Sequence, residues 1–126
     1  MKNKTATVSS AQINAATDVK IDATITITRP SVREGNQTIT LYPKRIQIRN
    51  QTGATIGFNI LSSAEEEAEF DADDTNFEYI SLANNTTLTF ADVYPIPTPY
   101  KILIIGIAGV AASDLTVEMI NYQARG

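Results

Sequence analysis

Apolar and polar residues alternate strictly over one stretch near the start of the chain. From Val19 to Thr28 every odd position is apolar and every even position is polar. A period of two places one face of a β-strand on a core and the other in water. Pro30 ends the pattern, and the residues from Arg33 to Asn36 are typical of a turn. The pattern predicts one strand over residues 19–28.

The next segment alternates as well, but its apolar residues change from odd to even positions, with Ile39 and Leu41 followed by Ile46 and Ile48. A slip of one residue turns side chains to the opposite face of a sheet. We therefore expect a bulge or bend near Tyr42-Pro43. Turn residues at 50–53 and a second alternating run then predict a hairpin from Arg45 to Leu61.

Four strand segments are predicted in the second half, over Phe77–Leu82, Thr86–Phe90, Tyr100–Ile105 and Leu115–Met119. The first two flank a turn at Ala83-Asn84-Asn85. The third is apolar on both faces, which indicates a central strand covered on each side. Pro95, Pro97 and Pro99 precede it and predict an extended linker, because proline cannot donate a backbone hydrogen bond to a sheet.

About seven short strands with almost no helical periodicity predict an all-β protein, built as an antiparallel two-sheet sandwich. The topology stays open between a jelly roll and an immunoglobulin-like arrangement. A chain of 126 residues fits one domain, and we place it at residues 19–126. Residues 1–18 are small and polar and are expected to form an extended N-terminal arm.

The predicted arm contains only Val8 and Ile13 as sizeable apolar residues, together with Lys2 and Lys4. So little apolar surface cannot offset the entropy of ordering the backbone. We therefore expect these four residues to contact a neighbouring subunit, which the arm reaches by adding a strand to a sheet edge. The domain is expected to fold without the arm.

A run of acidic residues lies between the predicted strands and holds half of the carboxylates, at Glu65, Glu66, Glu67, Glu69, Asp71, Asp73 and Asp74. Ser62 and Ser63 stand at capping-box spacing before it, so a single helical turn and a plain loop are both open. The four glutamates are candidate interaction residues, because a negative loop can pair with a basic patch on a neighbour.

The end of this run has oxygen ligands at spacings suited to a hard cation such as Ca²⁺, at Asp71, Asp73, Asp74, Asn76 and Glu78. It lacks the glycine at the sixth position and the glutamate at the twelfth that an EF-hand loop requires. A solvated acidic loop is the favoured interpretation, and no metal or cofactor is predicted.

The amino-acid composition excludes most catalytic mechanisms. The chain has no His and no Cys, so neither a nucleophile-histidine pair nor a zinc site can be assembled. We predict that it is not an enzyme. The net charge of −4 argues against nucleic acid as a partner, and no membrane segment or targeting signal is predicted. Five tyrosines, Tyr42, Tyr79, Tyr94, Tyr100 and Tyr122, could form a sugar-stacking platform, although core and rim positions are favoured.

Three stretches carry a resemblance to a known group of proteins, namely Ile46–Ile56, Ile80–Phe90 and Ile105–Ser113. This chain resembles small β-sandwich proteins of tailed-phage particles. In those proteins a strand that ends in Asn, as at Asn50 here, is followed by a turn of small residues. A leucine, a few turn residues and an alternating strand come later. That group includes head-decoration, head-fibre and auxiliary capsid proteins, which often have Pro-Gly or Ala-Gly-Glu where this chain has Asn84-Asn85.

The resemblance implies a non-enzymatic structural protein located in the virion. Its expected partners are the major capsid protein, other virion proteins or further copies of itself, bound through the arm and the sheet edges. The alternative is a carbohydrate- or cell-surface-binding β-sandwich module, with exposed tyrosines and the acidic run as its site.

Overall fold

A computed structural model describes residues 3–30, 32–33, 35–73, 79–90 and 99–124. These residues form nine strands and two helices: β1 Lys4–Val8, α1 Ser10–Asn14, β2 Val19–Asp22, β3 Ile25–Arg29, β4 Gln37–Asn50, β5 Ile56–Leu61, α2 Ala64–Ala72, β6 Ile80–Leu82, β7 Thr86–Phe90, β8 Lys101–Ile104 and β9 Leu115–Ala124. The predicted linker prolines Pro95 and Pro97 lie outside the described residues.

Two antiparallel sheets pack face to face, as the alternation of the sequence predicted. Sheet A has the strand order β1-β9-β4-β3, and β7 pairs with β4 beyond the end of β3. Sheet B has the order β2-β8-β5-β6, which places β8 in the interior of its sheet as predicted. The all-β two-sheet sandwich is confirmed.

The strand pairs define the topology. With β3 set aside, β1 pairs with β9, β2 with β8, β4 with β7 and β5 with β6. The first strand thus pairs with the last, the second with the next to last, and so on inwards. This is the pairing of one long hairpin rolled into two sheets, which is a jelly roll. An immunoglobulin-like sandwich does not nest its strands in this way.

The core lies between the two sheets and is rich in isoleucine. Sheet A contributes Ile46, Ile48, Leu115, Val117 and Met119, and sheet B contributes Ile56, Phe58, Ile60, Ile102 and Ile104. Burying one such side chain contributes about 1.5 to 3 kcal/mol relative to leaving it in water. Phe58 of sheet B meets Phe90 of sheet A edge to face, with ring centroids 6.0 Å apart.

The predicted strand over residues 19–28 is two strands in different sheets. β2 belongs to sheet B and β3 to sheet A, so the chain changes sheets at Ala23 and Thr24. One carboxylate oxygen of Asp22 accepts hydrogen bonds from the Thr24 amide, at 2.9 Å, and from its hydroxyl, at 2.8 Å. This side-chain turn bends the backbone without disturbing the alternation, which is why the sequence pattern continues through it.

The predicted change of the buried residues of β4 from odd to even positions is present in the structure, and β9 shows the same change. In β4 the buried residues change from Pro43 to Ile46, and in β9 they change from Met119 to Tyr122. Pro43 pairs with Tyr122, and Ile46 pairs with Met119. Because both strands change face at the same level, the register continues unchanged across the bend, where Asn121 has a φ of 61°.

The predicted hairpin is wrong in its pairing. The segment from Arg45 to Leu61 is not a hairpin, because β4 lies in sheet A and β5 in sheet B. Likewise β6 lies in sheet B and β7 in sheet A, so the turn at residues 83–85 joins the two sheets. A period of two fixes which face of a strand is buried, but it does not say which strand lies beside it.

The predicted arm is also wrong, because residues 4–14 belong to the domain. β1 pairs with β9 from Lys4 opposite Met119 to Val8 opposite Leu115. Val8 is 1% exposed and Ile13 is 0% exposed. Both lie in the core of the chain itself, so they are not residues for a neighbouring subunit. A capping box between Ser9 and Gln12 starts α1. The helix is short, and Ile13 is its buried residue.

Replacing either buried residue with alanine is therefore expected to destabilise the domain. Val8→Ala and Ile13→Ala each leave a cavity in a packed core, and the expected loss in free energy of unfolding is about 1 to 4 kcal/mol. Urea unfolding followed by circular dichroism measures it. Thr7→Ala, at the exposed neighbouring position of β1, is the control and is expected to change stability by less than about 0.5 kcal/mol. Unchanged stability in both core variants would support the original prediction that residues 1–18 form an arm separate from the domain.

Candidate interaction surfaces

The acidic run forms a helix, which is longer than the single turn considered from the sequence. Ser63 caps α2, since its hydroxyl accepts a hydrogen bond of 3.1 Å from the Glu66 amide. The Ser62 hydroxyl donates to the Glu66 carboxylate at 2.8 Å. Glu65, Glu66 and Glu67 occupy the first turn, where negative charge interacts favourably with the helix dipole.

α2 lies on the outer face of sheet B. Phe70 is its buried residue, and Leu61 and Leu103 are buried outside the main core. Lys20 of β2 binds the helix from the sheet, with its ammonium 2.9 Å from Glu67 and 2.7 Å from Asp71. Hydrogen bonds to Asp71 and Glu67 raise the pKa of Lys20 above its ordinary value. These contacts fix the orientation of the helix.

The remaining acidic side chains of α2 point away from the sheet. Glu65 and Glu69 are exposed, and within the described residues neither carboxylate has a salt bridge. Two of the four predicted glutamates, Glu66 and Glu67, are thus engaged within the chain, and two face outwards.

The predicted cation ligands are not brought together in the described part of the chain. Asp71 is held by Lys20, and Asp73 ends the helix as its C-cap. The described residues contain no group of three acidic side chains close enough to hold a metal ion. Asp74, Asn76 and Glu78 lie outside the described residues.

Of the two lysines assigned to the arm, only Lys4 is described. Its ammonium donates a hydrogen bond of 2.8 Å to the carbonyl oxygen of Asp22, where the chain leaves sheet B. Lys4 thus binds β1 to the end of β2 within the chain. Lys2 lies outside the described residues.

The opposite side of the sandwich presents a polar sheet face that the sequence analysis missed. Ile46 and Ile48 of β4 point into the core, so the alternating residues Arg45, Gln47 and Arg49 point outwards. The period of two in the sequence indicates that these three residues share a face, but it does not indicate which strands lie beside them.

Neighbouring strands continue this face. Arg49 pairs with Thr116 on one side and Thr87 on the other, and Gln47 pairs with Glu118 and Thr89. We call the outward residues of the four strands the threonine–arginine face: Thr5, Thr7, Arg45, Gln47, Arg49, Thr87, Thr89, Thr116 and Glu118. Arg45 and Arg49 are exposed, and neither forms a salt bridge with any described residue.

One end of the sandwich is organised by a buried asparagine. Asn50 and Thr52 are both 0% exposed. The Asn50 side-chain amide donates to the carbonyl oxygens of Ala54 and Leu82, each at 2.8 Å. Its oxygen accepts from the Thr52 amide at 3.0 Å and from the Thr52 hydroxyl at 2.7 Å. The side chain thereby satisfies all of its hydrogen-bonding groups.

The same end includes the loop before β9. The carbonyl oxygen of Thr52 accepts from the amide of Ala112 at 2.8 Å. Asn14 of α1 both donates to and accepts from the backbone of Ala111, at 2.8 and 2.9 Å. A Cβ on Gly106 would lie 2.2 Å from the carbonyl oxygen of Thr17, so only glycine fits there. The turn residues that carried the phage resemblance therefore serve the packing of the loops.

The described tyrosines lie in different segments of the chain, and one of them is buried. Tyr122 is buried, and its hydroxyl donates to the carbonyl oxygen of Ala23 at 2.9 Å, while burial raises its pKa. Tyr79 lies at the edge of sheet B beside β6, and the Lys101 ammonium sits 5.4 Å from the Tyr100 ring centroid. Tyr94 lies outside the described residues.

No protein family model, no curated protein and no solved structure matches this chain. Its functional interpretation therefore depends on the fold and on the surfaces described above. Neither α1 nor α2, the helices of the described ranges, has the length and apolar character of a membrane span.

Removing the Asn50 side chain is expected to destabilise the protein severely. Asn50→Ala leaves buried backbone groups of Thr52 and Leu82 without partners, and the expected loss is about 3 kcal/mol or more. Chemical denaturation measures it. The control is Gln51→Ala, the exposed neighbouring residue, which is expected to change stability by less than about 0.5 kcal/mol. Equal effects of the two substitutions would contradict the structural role of Asn50.

The charge of Asp22 makes stability depend on acid pH. Burial alone would raise the pKa of Asp22, but hydrogen bonds from Thr24 and the charges of Lys101 and Lys4 outweigh it, so the pKa is lowered. A carboxyl group whose pKa is lowered by folding stabilises the fold at pH values above its unfolded-state pKa. This stability is lost as the pH falls through the folded-state pKa. Asp22→Asn keeps an oxygen acceptor and removes the charge.

We therefore expect the wild type to be more stable than Asp22→Asn at about pH 6, and the difference to shrink as the pH falls below the ordinary carboxyl pKa of about 3.9. Urea unfolding of both proteins across this range measures the difference. A difference that stays constant with pH would show that the charge of Asp22 contributes nothing.

Proposed function

We propose that the chain is a non-enzymatic structural protein of a virus particle, of the head-decoration or auxiliary capsid type. The observation that carries this proposal is the nested pairing of its eight jelly-roll strands. Viral capsid domains are among the proteins that use this fold, as are lectins and cupins. The resemblance of the turns after β4 and β6 to phage virion proteins favours the first of these classes.

A fold alone does not assign a function, so the surfaces matter. Within the described residues every buried side-chain nitrogen or oxygen has a hydrogen-bond partner. Two exposed faces of the described residues carry charged side chains without a salt bridge, namely the outer side of α2 and the threonine–arginine face. Such a surface suits contacts between subunits, and weak contacts suffice where many copies engage together.

The partners that we propose are the major capsid protein, other virion proteins and further copies of the chain, in the virion itself. A carbohydrate-binding module remains the alternative from another class. It is less favoured because Tyr122, one of the tyrosines expected to stack on sugar, lies inside the core.

Mass spectrometry of purified particles from a culture that produces this chain tests the proposal. The chain is expected to remain with particles through density-gradient purification, at a fixed ratio to the major capsid protein. Disrupted-cell material from the same culture, carried through the same gradient, is the control for contamination. Absence from the particles would overturn the proposal, and so would tight glycan binding by the monomer.

A further inference from the structure

We propose that the chain binds a second copy of itself head to tail, with the outer side of α2 on the threonine–arginine face of the next copy. This contact rests on the proposed function and names one partner of the assembly. The two surfaces lie on opposite sides of the sandwich, because α2 packs on sheet B and the other face belongs to sheet A.

The sheet face supplies positive charge that no salt bridge within the described residues neutralises. Arg45 and Arg49 project from one strand, and Glu118 is the acidic residue of the face. Neither arginine reaches a carboxylate of the described residues within salt-bridge distance. Four residues along a strand place their Cα atoms about 13 Å apart, and each guanidinium ends a long side chain that can lean along the strand. A partner therefore needs two negative groups no farther apart than about 13 Å.

The outer side of α2 offers such a pair. Glu65 and Glu69 lie one turn apart on this side, about 6 Å along the helix, and both side chains are exposed. Neither forms a salt bridge with a described residue. The long side chains of Arg45 and Arg49 can therefore both reach this pair.

Shape and rigidity also favour this contact. Ala68 and Ala72 are exposed next to Glu65 and Glu69, and their small size lets the helix approach the threonines of a sheet closely. Lys20 and Phe70 hold α2 on its own sheet. The helix is therefore ordered before it binds, which reduces the entropy cost of association.

The arrangement of the two faces determines the symmetry. A two-fold dimer uses the same patch on both subunits, whereas this contact joins two different patches. The bound pair keeps one free α2, on one copy, and one free sheet face, on the other, so the contact continues into a ring or an open array. That behaviour suits a protein present in many copies on a particle.

Sedimentation velocity of charge-reversed proteins tests the contact. Wild-type protein is expected to self-associate at low salt and to dissociate as the salt rises from about 50 mM to about 500 mM. Arg45→Glu/Arg49→Glu and Glu65→Lys/Glu69→Lys are each expected to weaken self-association by at least about tenfold. An equimolar mixture of the two variants regains it, and so does the protein that carries all four reversals.

Arg29→Glu/Arg33→Glu is the matched control, since it makes the same charge change at exposed positions outside the face. Circular dichroism confirms folding, and Arg45→Gln/Arg49→Gln replaces the glutamate pair if that variant unfolds. A wild type that stays monomeric at low salt, or variants that fail to recover on mixing, would overturn the contact. Either result leaves the proposed function standing if the chain is still found in particles.

Discussion

The buried side chain of Asn50 is the interaction on which the architecture depends most. It stands where β4 leaves sheet A, and it binds the carbonyl oxygens of Ala54, just before β5, and of Leu82, at the end of β6. Its backbone oxygen accepts from Asn85, just before β7. One residue thus holds two passages between the sheets, and Thr52 adds a third through Ala112. A jelly roll needs many such passages, because most of its consecutive strands lie in different sheets.

The sequence predicted the local structure better than the connections. Alternation revealed the faces of β2, β4, β5 and β9, since burial on one side of a sheet imposes a period of two. It did not reveal that β4 and β5 lie in different sheets, because that depends on hydrogen bonds between turns distant in sequence. The arm was misjudged for a related reason: β1 is short and polar, and its partner β9 lies at the other end of the chain.

The sequence predicted only part of the two candidate interaction surfaces. Composition drew attention to the acidic run, but the run looked uniform, and only the position of Lys20 separates the glutamates that hold α2 from those that face outwards. The arginines of β4 were visible as the polar half of an alternating strand. Their meaning depends on the neighbours β9 and β7, which the sequence pattern did not identify.

The matched bends of β4 and β9 constrain how the two strands can change during evolution. Each strand turns its side chains over at the same level, between Pro43 and Ile46 in one and between Met119 and Tyr122 in the other. Loss of one residue at the bend of β4 alone would bring every later core residue of that strand to the solvent side. Compensation requires a loss at the paired position of β9. The lengths of two segments about 75 residues apart are therefore coupled, and related chains should gain or lose residues there in pairs.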